Sequence, residues 1–173
     1  MAEALDPALP PAVDTLAQRV LREACERDLK LATAESCTGG LLASLLTDIP
    51  GTSHAFERGF VTYTDEAKHE LLGVDPAILA RDGAVSEAAA RAMAVGALTR
   101  SKADIAISIT GYCEAAPGQP AGLVHLACAR KDAAVVHRCM RYGDVGRAEV
   151  RLRALQTALD MLHDSLSDAR AAA

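Results

Sequence analysis

Apolar residues recur every three or four positions at Val13, Leu16, Val20, Leu21 and Ala24, a spacing that predicts an amphipathic helix ending near Arg27. Lys30-Leu-Ala-Thr-Ala34 is short and apolar and predicts a strand. Leu41-Leu-Ala-Ser-Leu-Leu46 predicts a helix that begins around Gly39 and stops before Pro50-Gly51. Phe56 to Tyr63 predicts a strand. The segment Thr64 to Gly73 carries a capping hydroxyl, two early acids and a closing glycine, the marks of a short helix. Ser86 is placed to cap another helix reaching about Ser101. Three strands are expected at Asp104 to Thr110, Gly122 to Arg130 and Ala133 to Arg141. A long helix follows from about Gly146 to Leu166, with Val150, Leu155, Leu159 and Leu162 on one side. Helices alternating with strands, then strands joined by short links, predict an α/β fold: a three-layer α/β/α sandwich with a mixed sheet. The expected organisation is a loose Pro-rich leader over 1–11, a single domain over 12–166 and a tail over 167–173. No internal repeat or linker interrupts it.

Composition narrows the function classes. At 173 residues and 50% hydrophobic the chain can bury one sizeable core. The formal net charge of −5 opposes a general nucleic-acid surface, which needs a basic face. No apolar run reaches membrane-spanning length, and the first residues lack the basic start and apolar core of a signal peptide, so a cytoplasmic protein is expected. The five cysteines are scattered without a C-x-x-C pair, which indicates neither a disulfide frame nor a zinc knuckle. His137 and Cys139 share one face of a strand and could begin a metal site. Both are equally common as half-buried residues and no third ligand is close in sequence, so no metal and no cofactor is expected.

The chemistry concentrates in Thr33-Ala-Glu-Ser-Cys-Thr-Gly-Gly40, between the predicted strand and the next helix. Such a turn presents Ser36 and Thr38 beside the unpaired amides of a helix start, and Gly39 and Gly40 allow close approach of a ligand. Ser36 or Thr38 can also serve simply as the helix cap. A nucleophilic serine needs a base, and among four lysines Lys68 lies on a predicted short helix, although a lone lysine is also an ordinary solvated charge. Arg147 and Arg151, four residues apart at the start of the last helix, suit a phosphate. An exposed face paired with Asp144 or Glu149 suits them equally.

These motifs, with Arg58-Gly-Phe-Val-Thr-Tyr63, Glu66-Ala-Lys68, Leu72-Gly-Val74, Gly83-Ala-Val-Ser-Glu87 and Thr110-Gly111, resemble the C-terminal domain of the CinA family over about Leu16 to Leu162. The stand-alone PncC type of that family is a nicotinamide-nucleotide amidohydrolase. The resemblance implies the three-layer fold and hydrolysis of nicotinamide mononucleotide to nicotinate mononucleotide and ammonia, without metal. It carries over Ser36 as nucleophile and Lys68 as general base, with Tyr63 near the site. Thr38, Gly39, Gly40, Thr110, Gly111, Arg147 and Arg151 fall on its substrate side. The expected partner is a small-molecule nucleotide, and self-association is left open. The amino-terminal molybdopterin-binding-like domain of full-length members has no counterpart in these residues. The chain departs from the family's glycine-rich pattern at Thr110-Gly-Tyr-Cys-Glu-Ala-Ala-Pro-Gly-Gln-Pro120, where Glu114 brings in a negative charge. That departure keeps two alternatives open, a silent nucleotide-binding or interaction module and an amidase of a different substrate.

Overall fold

A computed structural model describes residues 9–171. The leader expected over 1–11 falls, up to residue 8, outside the described residues. Helix α1 (Pro11–Glu26) leads into β1 (Leu31–Glu35), α2 (Leu41–Thr47) and β2 (Phe56–Val61). Helices α3 (Asp65–Leu72), α4 (Pro76–Asp82) and α5 (Glu87–Thr99) follow, then β3 (Ile105–Gly111), β4 (Leu123–Arg130), β5 (Val136–Arg141) and α6 (Arg147–Ala171). One five-stranded sheet has the order β2-β1-β3-β4-β5. Strands β2, β1 and β3 are parallel, whereas β4 and β5 are antiparallel to their neighbours. The mixed three-layer α/β/α architecture is therefore the one observed.

Element boundaries differ from the sequence expectation in physically legible ways. The first strand runs one residue further, to Glu35, whose partners are Val61 and Ile109. The second stops at Val61, and the last strand starts at Val136 because Asp132, with a left-handed φ of 60°, turns the chain just before it. Helix α4 was not expected. Its signal is Asp75-Pro76, in which the Asp75 carboxylate accepts from the Ala77 N–H and proline occupies the first helical position. Helix α6 continues past Leu166, where the leucine stripe ends, because the following Ala169-Arg170-Ala171 favours helix and no breaker intervenes. Among the described residues no helix is long and apolar enough to cross a membrane.

The two faces of the sheet are made of different side chains. Along β3 the sequence Ile-Ala-Ile-Ser-Ile-Thr alternates large with small rather than apolar with polar, since both faces are covered. Ile105, Ile107 and Ile109, with Leu31, Val124 and Leu126, pack against α1, α2 and α6. The opposite face presents Ala32, Ala34, Ala106, Ala127 and Ala129, and receives the alanines of α5. Small residues on both sides let this helix lie close to the sheet. At this face the Ser108 hydroxyl donates to the Ala90 carbonyl at 2.6 Å. Helix α3 in turn rests on α5 at Gly96, where an added Cβ would stand 2.0 Å from the Leu72 carbonyl oxygen.

Gly96 therefore fixes how closely the helix carrying Lys68 can seat. Gly96→Ala should lower stability by about 1–3 kcal/mol or more, because the obstruction is backbone and cannot rotate away. A urea-denaturation midpoint equal to that of the parent protein would contradict this packing.

Candidate active site

The parallel strands β2, β1 and β3 end together, and an open α/β sheet places its ligand crevice at such carboxyl ends. A cleft of about 420 Å³ lies there. Ser36, Cys37, Tyr63, Lys68, Thr110, Gly111 and Arg147 line it, together with Ala84, Val85 and the 112–116 loop.

Ser36 directly follows β1, and its N–H continues the sheet by donating to the Ile109 carbonyl at 3.0 Å. It does not cap α2. That work is done by Glu35, which is fully buried and whose carboxylate accepts from the N–H groups of Gly40 (3.2 Å), Leu42 (3.1 Å) and Ala43 (2.8 Å). The helix-start amides that the sequence assigns to a ligand are thus occupied from inside the protein. Gly40 takes a left-handed conformation, φ 93°, to turn its N–H toward that carboxylate. Nearer to Ser36, the N–H groups of Cys37 and Thr38 have no acceptor among the described residues.

Lys68 meets Ser36. Thr64 caps α3 by accepting from the Ala67 N–H, and one turn later Lys68 points inward with 1% of its surface exposed. Its Nζ donates to Ser36 Oγ at 3.3 Å, to the Thr62 carbonyl at 3.1 Å and to the Tyr63 carbonyl at 3.2 Å. Burial pushes the Lys68 pKa below its ordinary value of 10.5, against the attraction of Asp65 and Cys37, which raises it. No neighbouring cation contributes, so desolvation alone drives the change. A charged Lys68 fills all three acceptors. A neutral one can keep both carbonyl bonds and turn its lone pair to the Ser36 hydroxyl.

The other sequence-derived site residues divide between cleft and frame. Tyr63 is 68% exposed at the cleft edge and reaches Lys68 only through its carbonyl. Thr110 spends its hydroxyl on the Ala84 carbonyl at 2.8 Å, which holds the Ala84–Val85 wall in place. Gly111 lies flush against β4, where a Cβ would come within 2.8 Å of the Leu123 carbonyl oxygen. Thr38 is buried behind the turn. Arg151, close to Gly39, donates through Nε to the Cys37 carbonyl at 2.8 Å. Arg147 reaches the cleft, but its fork is engaged by Glu114, with Nε 3.0 Å and Nη2 2.9 Å from the two carboxylate oxygens. The guanidinium holds the Glu114 carboxyl below its ordinary pKa.

One grouping was not legible in the sequence, and a second was legible only as far as His137 and Cys139. Cys113 Sγ lies 3.8 Å from the Cys37 carbonyl oxygen, beside the Ser36 turn. The neighbouring Cys37 thiol and the nearby Arg151 and Arg147 pull the Cys113 pKa from 9.0 to about 6, against burial, which raises it. Separately, His137 and Cys139 share a face of β5 and meet His125 on β4, whose Nδ1 is 3.0 Å from His137 Nε2. The two imidazoles engage each other rather than converge on one point. No cluster of metal-ligating side chains is found among the described residues.

Comparison with known proteins gives a consistent family. The model for the CinA C-terminal domain matches residues 13–166. A CinA-like protein of Akkermansia muciniphila is 45% identical over 160 residues, covering 91% of this chain and 38% of that protein. The chain therefore spans less than two fifths of that relative's length. The crystal structure of the competence/damage inducible protein CihA from Agrobacterium tumefaciens superposes with a TM-score of 0.89 at 45% identity, covering 94% of this chain and 99% of that one. A CinA superfamily structure from Klebsiella pneumoniae gives 0.85 at 37% identity, with 90% and 98% covered.

The Glu35 carboxylate is the testable part of the frame. Glu35→Ala should leave three donors without their acceptor and cost roughly 2–3 kcal/mol, as lost hydrogen bonds to a charged group do. Glu35→Gln, which keeps one accepting oxygen, should fall between. Both values come from denaturant midpoints, and an Ala variant as stable as the parent would show that the amides find other partners.

Proposed function

This chain belongs to the CinA C-terminal domain family, and we propose on that footing that it is an amidohydrolase that deamidates nicotinamide mononucleotide with Ser36 as nucleophile and Lys68 as base. The observation that carries this reading is the contact between Lys68 Nζ and Ser36 Oγ at the floor of the cleft, with the amine buried and its remaining hydrogens held by two carbonyls. A serine hydroxyl is a weak nucleophile until a base takes its proton, and a buried lysine serves once its ammonium form is disfavoured.

In this scheme the neutral Lys68 amine accepts the Ser36 proton as Oγ bonds to the carboxamide carbon. The N–H groups of Cys37 and Thr38, which have no acceptor among the described residues, would receive the developing oxyanion. Lys68 then passes the proton to the leaving nitrogen, which departs as ammonia. Water, deprotonated by the same amine, hydrolyses the ester on Ser36 and restores the hydroxyl. The Glu114–Arg147 pair favours a second reading, in which the cleft takes an amide without a phosphate, because the guanidinium that would hold a phosphate already holds a carboxylate. Ammonia release from nicotinamide mononucleotide by the purified protein distinguishes the readings.

Ser36→Ala should reduce that release to background while changing stability by no more than about 1 kcal/mol, since the hydroxyl caps nothing. Lys68→Arg should be nearly as inactive as Lys68→Ala, because a guanidinium keeps the charge but does not give up its proton. In the parent protein kcat/KM should rise with pH as Lys68 deprotonates. The midpoint should lie below 10.5, the direction that burial imposes. A fully active Lys68→Arg protein, or a rate independent of Ser36, would remove the serine–lysine scheme.

Glu114→Gln should free Arg147 and tighten binding of nicotinamide mononucleotide, with the gain shrinking as ionic strength rises. Titrations at low and high salt measure this. Equal affinities in both proteins would mean that the phosphate does not use Arg147.

A further inference from the structure

The hydrolytic scheme uses neither of the two thiols beside it. Cys37 follows Ser36, and Cys113 lies two residues beyond β3, on the loop that carries Glu114. Each is 5% exposed, and both line the cleft wall. Cys113 Sγ is 3.8 Å from the Cys37 carbonyl oxygen, and Arg151 donates to that same carbonyl at 2.8 Å. The pair thus joins residues 76 apart in sequence at one point of the cleft. The other cysteines are elsewhere. Cys128 is buried on the sheet face under α6, Cys25 is on α1, and Cys139 is exposed on β5.

We propose that Cys37 and Cys113 are a redox modification site, oxidised by a hydroperoxide to a disulfide that ties the Ser36 turn to the loop after β3. Cys113 is the attacking sulfur, since Arg147 and Arg151 stabilise its anion and the cleft gives access to it. Its sulfur bonds to one peroxide oxygen, the O–O bond breaks, and water or an alcohol leaves, which converts Cys113 to a sulfenic acid. The Cys37 sulfur then attacks the sulfenic sulfur, the S–O bond breaks, and a second molecule departs as water, with the Cys37 proton. The two thiols lose two electrons and two protons in all, and the peroxide takes them up. A dithiol reverses the bond by exchange. A disulfide sets its sulfurs about 2.05 Å apart, and Cys113 Sγ already lies beside the Cys37 backbone. Its effect is to draw the Glu114 loop onto the nucleophile turn and narrow the cleft.

The test is covalent and does not depend on the hydrolase reading. The 173-residue chain is treated with hydrogen peroxide at neutral pH, free thiols are then alkylated, and the protein is digested without reduction. The expected result is a linked peptide pair joining Cys37 to Cys113, an intact mass lower by two hydrogens before alkylation, and restoration of both thiols by dithiothreitol. Cys128 should remain alkylatable only on unfolding throughout. In Cys113→Ser, Cys37 should stay a thiol at the same peroxide dose. The proposal is overturned if both residues remain thiols at a dose that oxidises the exposed Cys139. It is equally overturned if Cys113 accumulates as sulfenic or sulfinic acid with Cys37 still free, or if Cys37 is oxidised as readily in Cys113→Ser. Should that variant not fold, the linked-peptide map of the parent protein decides by itself.

Discussion

A carboxylate buried at the end of β1 governs the geometry around Ser36. Burying Glu35 would be prohibitive for a lone charge, and three backbone amides of one helix start offset that cost. The constraint works in both directions. Strand β1 cannot shift relative to α2 without leaving donors and acceptor unpaired, so the turn between them, residues 36 to 40, has a fixed span. Ser36 is released from capping duty and left with its hydroxyl on Lys68. The helix dipole meanwhile acts on an internal anion instead of an incoming one.

The lysine side of the pair depends on something quite different, the small residues between sheet and helix. Ala32, Ala34 and Ala106 allow α5 to lie close, and Gly96 allows α3 to settle on α5, so that Lys68 enters at the level of Ser36. Two independent pieces of packing therefore converge on one hydrogen bond of 3.3 Å. The bulky face of isoleucines and leucines on the other side supplies most of the burial.

Much of this was legible in the sequence, and what was not has physical reasons. Periodicity gave the order of ten elements because their apolar stripes, caps and terminal glycines agree with one another. Helix α4 escaped because seven residues carry too little periodicity, although Asp75-Pro76 marks its start. The turn motif drew attention to Ser36, but local capping rules favour a Ser or Thr within the turn and are blind to Glu35, which reaches Gly40, Leu42 and Ala43 from the strand. Thr110, Arg147 and Arg151 stand out by residue type. Their actual partners, the Ala84 carbonyl, Glu114 and the Cys37 carbonyl, are 26, 33 and 114 residues away and follow from topology alone. The same holds for Cys113, whose proximity to Cys37 exists only because β3 lies beside β1.

Strand β2 is one of the two edge strands of the sheet, paired on one side only, with β1. The two carbonyls that hold Lys68 belong to Thr62 and Tyr63, immediately past its end, and only the Thr62 N–H, donating to the Glu35 carbonyl at 2.8 Å, extends the ladder there. The desolvation that lowers the lysine's proton affinity thus depends in part on a sheet margin, the part of such a fold that opens most readily. Each opening that admits water re-solvates the amine and returns it toward the cationic state. Opening of that strand end should therefore raise solvent exchange at the Thr62 amide and the proton affinity of Lys68 together.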